Sequence, residues 1–437
     1  MHKASLYTLG CKVSLYETEA IAEGLESHGF EIVPYDTPAD ICIINTCTVT
    51  AESDAKSRKY IRRAHRINPD CKIIVIGCYS QRSPDEVSAI EGVAYTLGTA
   101  DKMKSVGIAL GLLDGTIPTG GVSVGELSAT PFEPMQVKSP RRTRGFVKIE
   151  DGCECKCTYC AIADARGPVR SKAPEDVLRE VSHLYSSGIL EVVLTGIETG
   201  SYGKDLGTSY GLGELMTDID RLCPGIRVRL GSMAPELLTR EFIDKVSALK
   251  CTVPHFHISM QSASSEVLRR MKRRYSAEKA IETIDYIKQK MPRVMLTADL
   301  MVGFPGESEE NFLETVDFVA RARLLSAHIF AYSKRHGTPA ADYPEQVADA
   351  VKRERSARLQ AKAREVQREV LGEVIERGEA LSVIFETKEP CGYRGHSDSF
   401  IEVVAEFSED VCGRLCTVVP KAECDGVIYG EIIKIDK

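Results

Sequence analysis

From Gly145 onward, short β-rich runs and amphipathic stretches alternate six times, and this alternation constrains the fold more than any other feature. The runs are Gly145–Ile149, Glu191–Thr195, Arg227–Leu230, His255–Ser259, Met295–Met301 and Ala327–Ala331. Helical stretches such as Pro174–Ser187, Pro235–Ala248, Ala277–Lys290 and Glu309–Arg321 lie between them, with Pro174 and Pro235 suited to first-turn positions. Parallel strands joined by helices place all their C-terminal ends on one edge. Six units are too few to close an eightfold barrel, so the pattern predicts an α/β domain built as an open, partial (β/α)6 barrel.

The loop after the first of these strands reads Cys153-Glu-Cys-Lys-Cys157-Thr-Tyr-Cys160. Cys153, Cys157 and Cys160 fall in the order C-x3-C-x2-C. Three thiolates on one loop can hold three irons of a cubane cluster and leave the fourth open to a small molecule. The alternatives are zinc and disulfides. A closed zinc site wants four ligands, usually in two separated pairs, and adding Cys155 matches no common zinc spacing. The N-terminus lacks the apolar core of a signal peptide, and no run approaches the ~20 apolar residues of a membrane span. A cytoplasmic protein without a membrane partner is expected, and its fifteen cysteines read as thiols and metal ligands. The net charge of −7 gives no global pull toward nucleic acid, so RNA contact would need local basic patches.

Residues 1–125 carry a separate parallel α/β pattern. Ser5–Leu9, Ile41–Asn45 and Ile73–Gly77 read as strands, Tyr16–His28 and Ser53–Ile67 as helices. Cys11, Cys47 and Cys78 each sit just past a strand end, where a parallel sheet places its ligands, which suggests a second cluster. Cys42 falls inside a strand and Cys71 before one, at the opposite edge. Five unrelated core thiols are the alternative reading.

Residues 126–144 read as a linker crossing the surface, with the run Arg141-Arg142-Thr143-Arg144 either solvated or facing phosphate. Strand-end polar groups at Thr195, Gly196, Ser232, Gln261 and Gly303 are candidates to hold a ligand near the cysteine loop. Arg269, Arg270, Lys272, Arg273 and Arg274 form the strongest local basic cluster and are candidates for RNA contact; Lys56–Arg66 is a second cluster, and a solvated helix face explains either one. Val351–Arg377 reads as a connecting helix. Residues 378–437 switch to the short runs Leu381–Glu386, Phe400–Ala405, Leu415–Val419 and Val427–Ile435, a small all-β barrel with six Lys or Arg against twelve Asp or Glu.

Together these segments resemble the radical S-adenosylmethionine (SAM) tRNA methylthiotransferases along nearly the whole chain. The resemblance is carried by Thr8-Leu-Gly-Cys-Lys-Val-Ser-Leu-Tyr-Glu17, Asp151-Gly-Cys153, Leu194-Thr-Gly-Ile197, Gln261-Ser262, Arg269-Arg-Met-Lys-Arg-Arg-Tyr275, Gly303-Phe-Pro-Gly-Glu307 and Tyr332-Ser-Lys-Arg335. The first of these looks most like the branch acting on N6-threonylcarbamoyladenosine beside the tRNA anticodon, with Ser14 where asparagine is usual.

The resemblance implies an N-terminal cluster domain at 1–125, a linker at 126–144 and a radical SAM core at 145–350. A connecting helix at 351–377 and a C-terminal TRAM barrel at 378–437 would follow. It implies two [4Fe-4S] clusters and SAM as cofactors. Cys153, Cys157 and Cys160 would bind the SAM cluster, and Cys11, Cys47 and Cys78 the auxiliary one. Tyr159 would pack on the adenine of SAM. The implied reaction adds a methylthio group to C2 of the modified adenine: one SAM methylates a sulfur at the auxiliary cluster, and a second yields the radical that removes hydrogen. Acid–base catalysis cannot open such a C–H bond. The implied partners are tRNA, a reducing electron donor, and a sulfur donor or iron–sulfur assembly system.

Four residues near the presumed site depart from the family pattern: Cys155, Asp164 (in Ala163-Asp164), Glu198 and Ala234. Rival readings are the same chemistry on isopentenyladenosine or a ribosomal protein, and an RNA-binding iron–sulfur sensor without catalysis.

Overall fold

The structure is a computed structural model and describes residues 1–437 except Ala129. Its N-terminal sheet contains β1 (Lys3–Thr8), β2 (Glu31–Val33), β3 (Ile41–Thr46), β4 (Lys72–Gly77), β5 (Val93–Leu97) and β6 (Gly121–Ser123). All pair in parallel, in the order β2-β1-β3-β4-β5-β6. The central strands β3 and β4 are runs of Ile and Val because apolar layers cover both faces of the sheet. Helices α1 (Lys12–Ser27), α2 (Ala51–Ile67) and α3 (Cys78–Arg82) follow β1, β3 and β4. α1 starts directly after Cys11, four residues before the start expected from sequence. Cys11, Cys47 and Cys78 lie at the C-terminal edge, while Cys42 is inside β3 and Cys71 precedes β4 at the other edge.

The central domain contains β7 (Gly145–Lys148), β8 (Glu150–Asp151), β9 (Arg170–Ser171), β10 (Glu191–Thr195), β11 (Arg227–Leu230), β12 (His255–Gln261), β13 (Met295–Val302) and β14 (Ser326–Ala331). β7, β10 and β11 form one parallel half and β12, β13 and β14 the other. Two isolated parallel bridges, Val228↔Thr252 and Met233↔Ile258, join the halves into a six-stranded partial barrel. β8 and β9 form a short antiparallel pair at the base of the cysteine loop. The stretch Pro235–Ala248 is not one helix: a 3-10 turn at Pro235–Leu237 precedes the helix Arg240–Ser247. Thr239 restarts the chain, its hydroxyl accepting the Phe242 N–H.

The helix Asp349–Arg377 buries Leu359, Val366, Val370, Leu371 and Val374, so it packs as part of the core. The C-terminal segment is a closed barrel of five strands, β15 (Leu381–Glu389), β16 (Gly392–Ser397), β17 (Glu402–Glu406), β18 (Leu415–Cys424) and β19 (Val427–Ile435). One apolar core runs continuously from the central domain into this barrel. Arg229 fastens the junction: it pairs with Glu191 at 2.7 Å, donates to the carbonyls of Ser397 and Asp398, and lies under the Phe400 ring.

The segment expected to cross the surface at 126–144 is exposed over much of its described length but anchored between the domains at its middle. Met135 and Val137 are buried, Tyr16 Oη and Lys172 Nζ donate to the Met135 carbonyl, and the Val137 N–H donates to Glu180. Arg141, Arg142 and Arg144 pair with Glu26, Glu19 and Glu386, so this run ties the N-terminal helix and the C-terminal barrel to the segment.

Candidate active site

Gly152 opens the cysteine loop at φ +91°, and a Cβ there would sit 1.8 Å from the Pro168 carbonyl oxygen. Only glycine lets the chain turn so close to another backbone. The loop is then tied at several points: the Cys153 N–H donates to Gly167 O, the Thr158 N–H to Met271 O, and the Ala340 N–H to Thr158 O. Each of the three cysteines of the C-x3-C-x2-C run has one N–H donor on its sulfur. The Cys155 N–H lies 3.4 Å from Cys153 Sγ, the Ile162 N–H 3.4 Å from Cys160 Sγ, and Arg273 Nη1 3.3 Å from Cys157 Sγ. Donors on sulfur favour the thiolate, the form that ligates metal.

The sequence-derived ligand candidates meet different fates. Tyr159 packs edge-on to Phe304, 6.3 Å between centroids, beside Met271 and Met301. Thr195 is buried at the end of β10. Gly196 is required because a Cβ would lie 2.4 Å from Glu150 Oε2, which accepts the Glu198 N–H. Gln261 closes β12 at φ +66°, next to a register shift, and Ser232 follows β11. Gly303 does not open toward a ligand: its free side is filled by the Lys352 chain, and Glu307 accepts its N–H. Two of the departures meet, since Glu198 Oε1 accepts the Ala234 N–H at 3.2 Å. Burial raises the Glu198 carboxyl to about 7.

The basic cluster also divides. Arg273 serves Cys157 and the Ser259 carbonyl, and Arg270 serves the Pro305 carbonyl and Glu345. Arg269, Lys272 and Arg274 remain at the surface. Sequence reading did not anticipate the two inward roles, because nothing local distinguishes these arginines from their neighbours.

At the N-terminal sheet edge the second triad gathers. Gly10, at φ +116°, brings the chain so close to Cys47 that a Cβ would lie 3.1 Å from the Cys47 Cβ and 3.3 Å from its sulfur. Burial pushes the Cys47 thiol up to about 11, and the nearby Cys78 and Cys11 sulfurs add to that rise. Cys11 precedes α1, whose N-terminal dipole end faces it. Arg166 Nε donates to Cys78 Sγ at 3.1 Å.

Behind this triad four buried cations, Lys102, Lys148, Arg166 and Arg170, pair with two carboxylates, Glu17 and Asp151, and among the described residues only one more, Glu133, lies near enough to feel Lys148 and Lys102. An excess of buried positive charge is costly unless anions balance it. Three thiolates carrying an anionic cluster supply that balance, so the residues present fit an iron–sulfur group. The helix Ile162–Arg166 connects the two places, with its first N–H on Cys160 and its last side chain on Cys78.

Two family models match the chain. The Radical SAM superfamily covers residues 147–319, and Uncharacterized protein family UPF0004 covers residues 3–98. A Bacillus subtilis relative, threonylcarbamoyladenosine tRNA methylthiotransferase MtaB, is 40% identical over 96% of this chain and 93% of its own length. The chain belongs to the radical SAM tRNA methylthiotransferases. Family membership brings a SAM-binding [4Fe-4S] cluster, SAM and a second cluster. A Thermoanaerobacter pseudethanolicus relative of this methylthiotransferase, named tRNA-2-methylthio-N(6)-dimethylallyladenosine synthase, is 30% identical over 98% of the chain and 92% of its own length. Among solved structures, the radical SAM methyltransferase TsrM from Kitasatospora setae matches with a TM-score of 0.56. It is 16% identical and covers 78% of this methylthiotransferase and 77% of its own chain, a likeness of fold alone.

Proposed function

We propose that the protein adds a methylthio group to C2 of N6-threonylcarbamoyladenosine in tRNA. The observation that carries this reading is the pairing of two cysteine triads at strand ends, joined through one short helix, in a chain 40% identical to a relative bearing that name. Cys153, Cys157 and Cys160 are assigned to the SAM-binding cluster, and Cys11, Cys47 and Cys78 to the auxiliary cluster. When bound, these groups supply radical chemistry at a carbon that carries no acidic proton, together with the sulfur to be transferred.

The chain's own residues do the rest. Arg273 donates to the Cys157 sulfur, and the backbone N–H groups of Cys155 and Ile162 donate to those of Cys153 and Cys160, which favours the thiolate each would present to the cluster. Tyr159, wedged against Phe304, is assigned to the adenine of SAM, with Thr195, Gly196, Ser232 and Gln261 at the neighbouring strand ends. Arg269, Lys272 and Arg274 are assigned to the tRNA backbone, because they flank the loop and face outward. The C-terminal barrel is read as the TRAM module. A reducing electron donor, a sulfur donor or iron–sulfur assembly system, and a cytoplasmic setting complete the proposal; no described helix is long and apolar enough to cross a membrane.

Mass spectrometry of tRNA nucleosides from cells lacking the gene, with and without its restoration, tests this reading. Loss and return of 2-methylthio-N6-threonylcarbamoyladenosine is expected. If the isopentenyl counterpart changes instead, the acceptor assignment is wrong and the chemistry stands.

A further inference from the structure

The most buried sulfur of the N-terminal triad is not served by its own domain. Cys78 lies at the start of α3, and the donor on its sulfur, Arg166 Nε at 3.1 Å, comes from the central domain just past the cysteine loop. The guanidinium has no exposed surface. Its Nη1 donates to Glu17 Oε1 at 2.6 Å and to Asp151 Oδ2 at 3.2 Å, and its Nη2 to Glu17 Oε2 at 3.4 Å. Glu17 lies on α1, six residues beyond Cys11, and Asp151 precedes Cys153 by two. Carboxylates from both domains therefore clamp the planar fork on one side and leave Nε aimed at sulfur.

We infer that Arg166 is a positioning residue of the auxiliary cluster, supplied across the domain boundary, which donates a hydrogen bond to the Cys78 sulfur and raises that cluster's reduction potential. The inference rests on the assignment of the auxiliary cluster to Cys11, Cys47 and Cys78. A thiolate in a dry site needs a nearby positive charge, and an N–H donated to a ligating sulfur favours the more electron-rich, reduced state of a cluster. The plain alternative is that Arg166 only neutralises Glu17 and Asp151 and touches Cys78 by packing. Lysine at this position keeps the charge for the two acids but lacks the side-facing Nε–H, so Arg166→Lys separates the two roles.

The test uses the full-length protein reconstituted anaerobically with iron and sulfide, as wild type, Arg166→Lys, Arg166→Gln and Cys78→Ala. Iron content and redox titration followed by electron paramagnetic resonance are the readouts. The SAM cluster is recognised as the signal that changes when SAM is added, and the remaining signal is the auxiliary cluster. Arg166→Lys is expected to keep both clusters and shift only the auxiliary midpoint to lower potential, and Arg166→Gln to lose auxiliary-cluster iron or shift that midpoint at least as far. An unchanged auxiliary midpoint in Arg166→Lys overturns the inference, whatever Arg166→Gln does. Cys78→Ala is expected to lose about half of the iron; full iron in that variant overturns the cluster assignment itself.

If the Arg166 variants fail to fold, the wild-type contact is read directly. Protein labelled with 15N-arginine and carrying Cys157→Ala with Cys160→Ala holds only the auxiliary cluster. Pulsed resonance is expected to show arginine nitrogen coupled to that cluster, and absence of the coupling overturns the inference.

Discussion

Arg273 Nη1 lies 3.3 Å from Cys157 Sγ, although 116 residues separate the two in sequence. The same guanidinium donates to the Ser259 carbonyl at the end of the β-rich part of β12 and lies over the Tyr275 ring. A basic residue that reads as RNA-facing is thereby part of the cysteine loop. A hydrogen bond from a charged donor contributes about 1.5–3 kcal/mol. Arg273→Gln is expected to slow reductive cleavage of SAM by roughly tenfold or more, measured as 5′-deoxyadenosine formed without tRNA, since about 1.4 kcal/mol corresponds to a factor of ten.

The two triads separate by their failures. Cys157→Ala is expected to abolish SAM cleavage. Cys78→Ala is expected to retain cleavage while losing methylthio transfer to tRNA. Measuring both products on both variants checks the assignment, and loss of cleavage in Cys78→Ala would contradict it.

Gly152 has no tolerated replacement. At φ +91°, with a carbonyl oxygen 1.8 Å from the position a Cβ would take, Gly152→Ala must move either the β8 end or the Pro168 turn. Backbone strain and overpacking together are expected to destabilise the protein by about 3 kcal/mol or more. Thermal unfolding and the iron content of the purified variant provide the measurement.

His255 makes the junction with the C-terminal barrel acid-sensitive. Burial, then the charges of Arg229, His257, Lys12 and Arg144, hold its imidazole well below the usual histidine range, and its ring stacks on Phe400 at 4.6 Å. A depressed folded-state value means that the unfolded chain binds the proton first. Stability is therefore retained above the unfolded value near 6.5 and falls as pH drops below it, by up to about 1.4 kcal/mol per pH unit. His255→Asn is expected to flatten this slope between pH 7 and 5 in denaturant titrations.

Arg269, Lys272 and Arg274 face outward beside the loop, and Arg274 reaches the Glu154 carbonyl at 3.4 Å. Replacing all three with glutamine is expected to weaken tRNA binding for every sequence and to reduce the salt slope by about 1 for each phosphate no longer neutralised. Filter binding across a salt series checks this.

The parallel strands were legible because apolar runs such as Ile41–Ile44 are a local pattern, and the edge position of Cys11, Cys47 and Cys78 followed from the strand ends they trail. The strand Gly392–Ser397 was not, since two of its three inward positions are Gly395 and Ser397, which leave no apolar alternation to read. Nor was the burial of Met135 and Val137, which sit among prolines and polar residues and are covered by α1, Met103, Phe146 and Glu180 from distant chain. Arg166 follows the cysteine loop closely in sequence, but its partner Cys78 is 88 residues away. Contacts to sulfur of this kind are decided by tertiary placement, and no periodicity encodes them.

The continuous core shared by the central domain and the C-terminal barrel has a consequence for biosynthesis. Chains emerge from the ribosome N-terminus first. The residues that cover Arg229 and His255, Ser397 to Phe400, belong to a segment made after the whole central domain. Until that segment is released, the floor of the partial barrel is exposed to solvent and to other nascent chains. A premature stop before Leu381 therefore leaves an apolar surface uncovered and yields a chain fated for aggregation or degradation, even though every cysteine of both triads has already been synthesised.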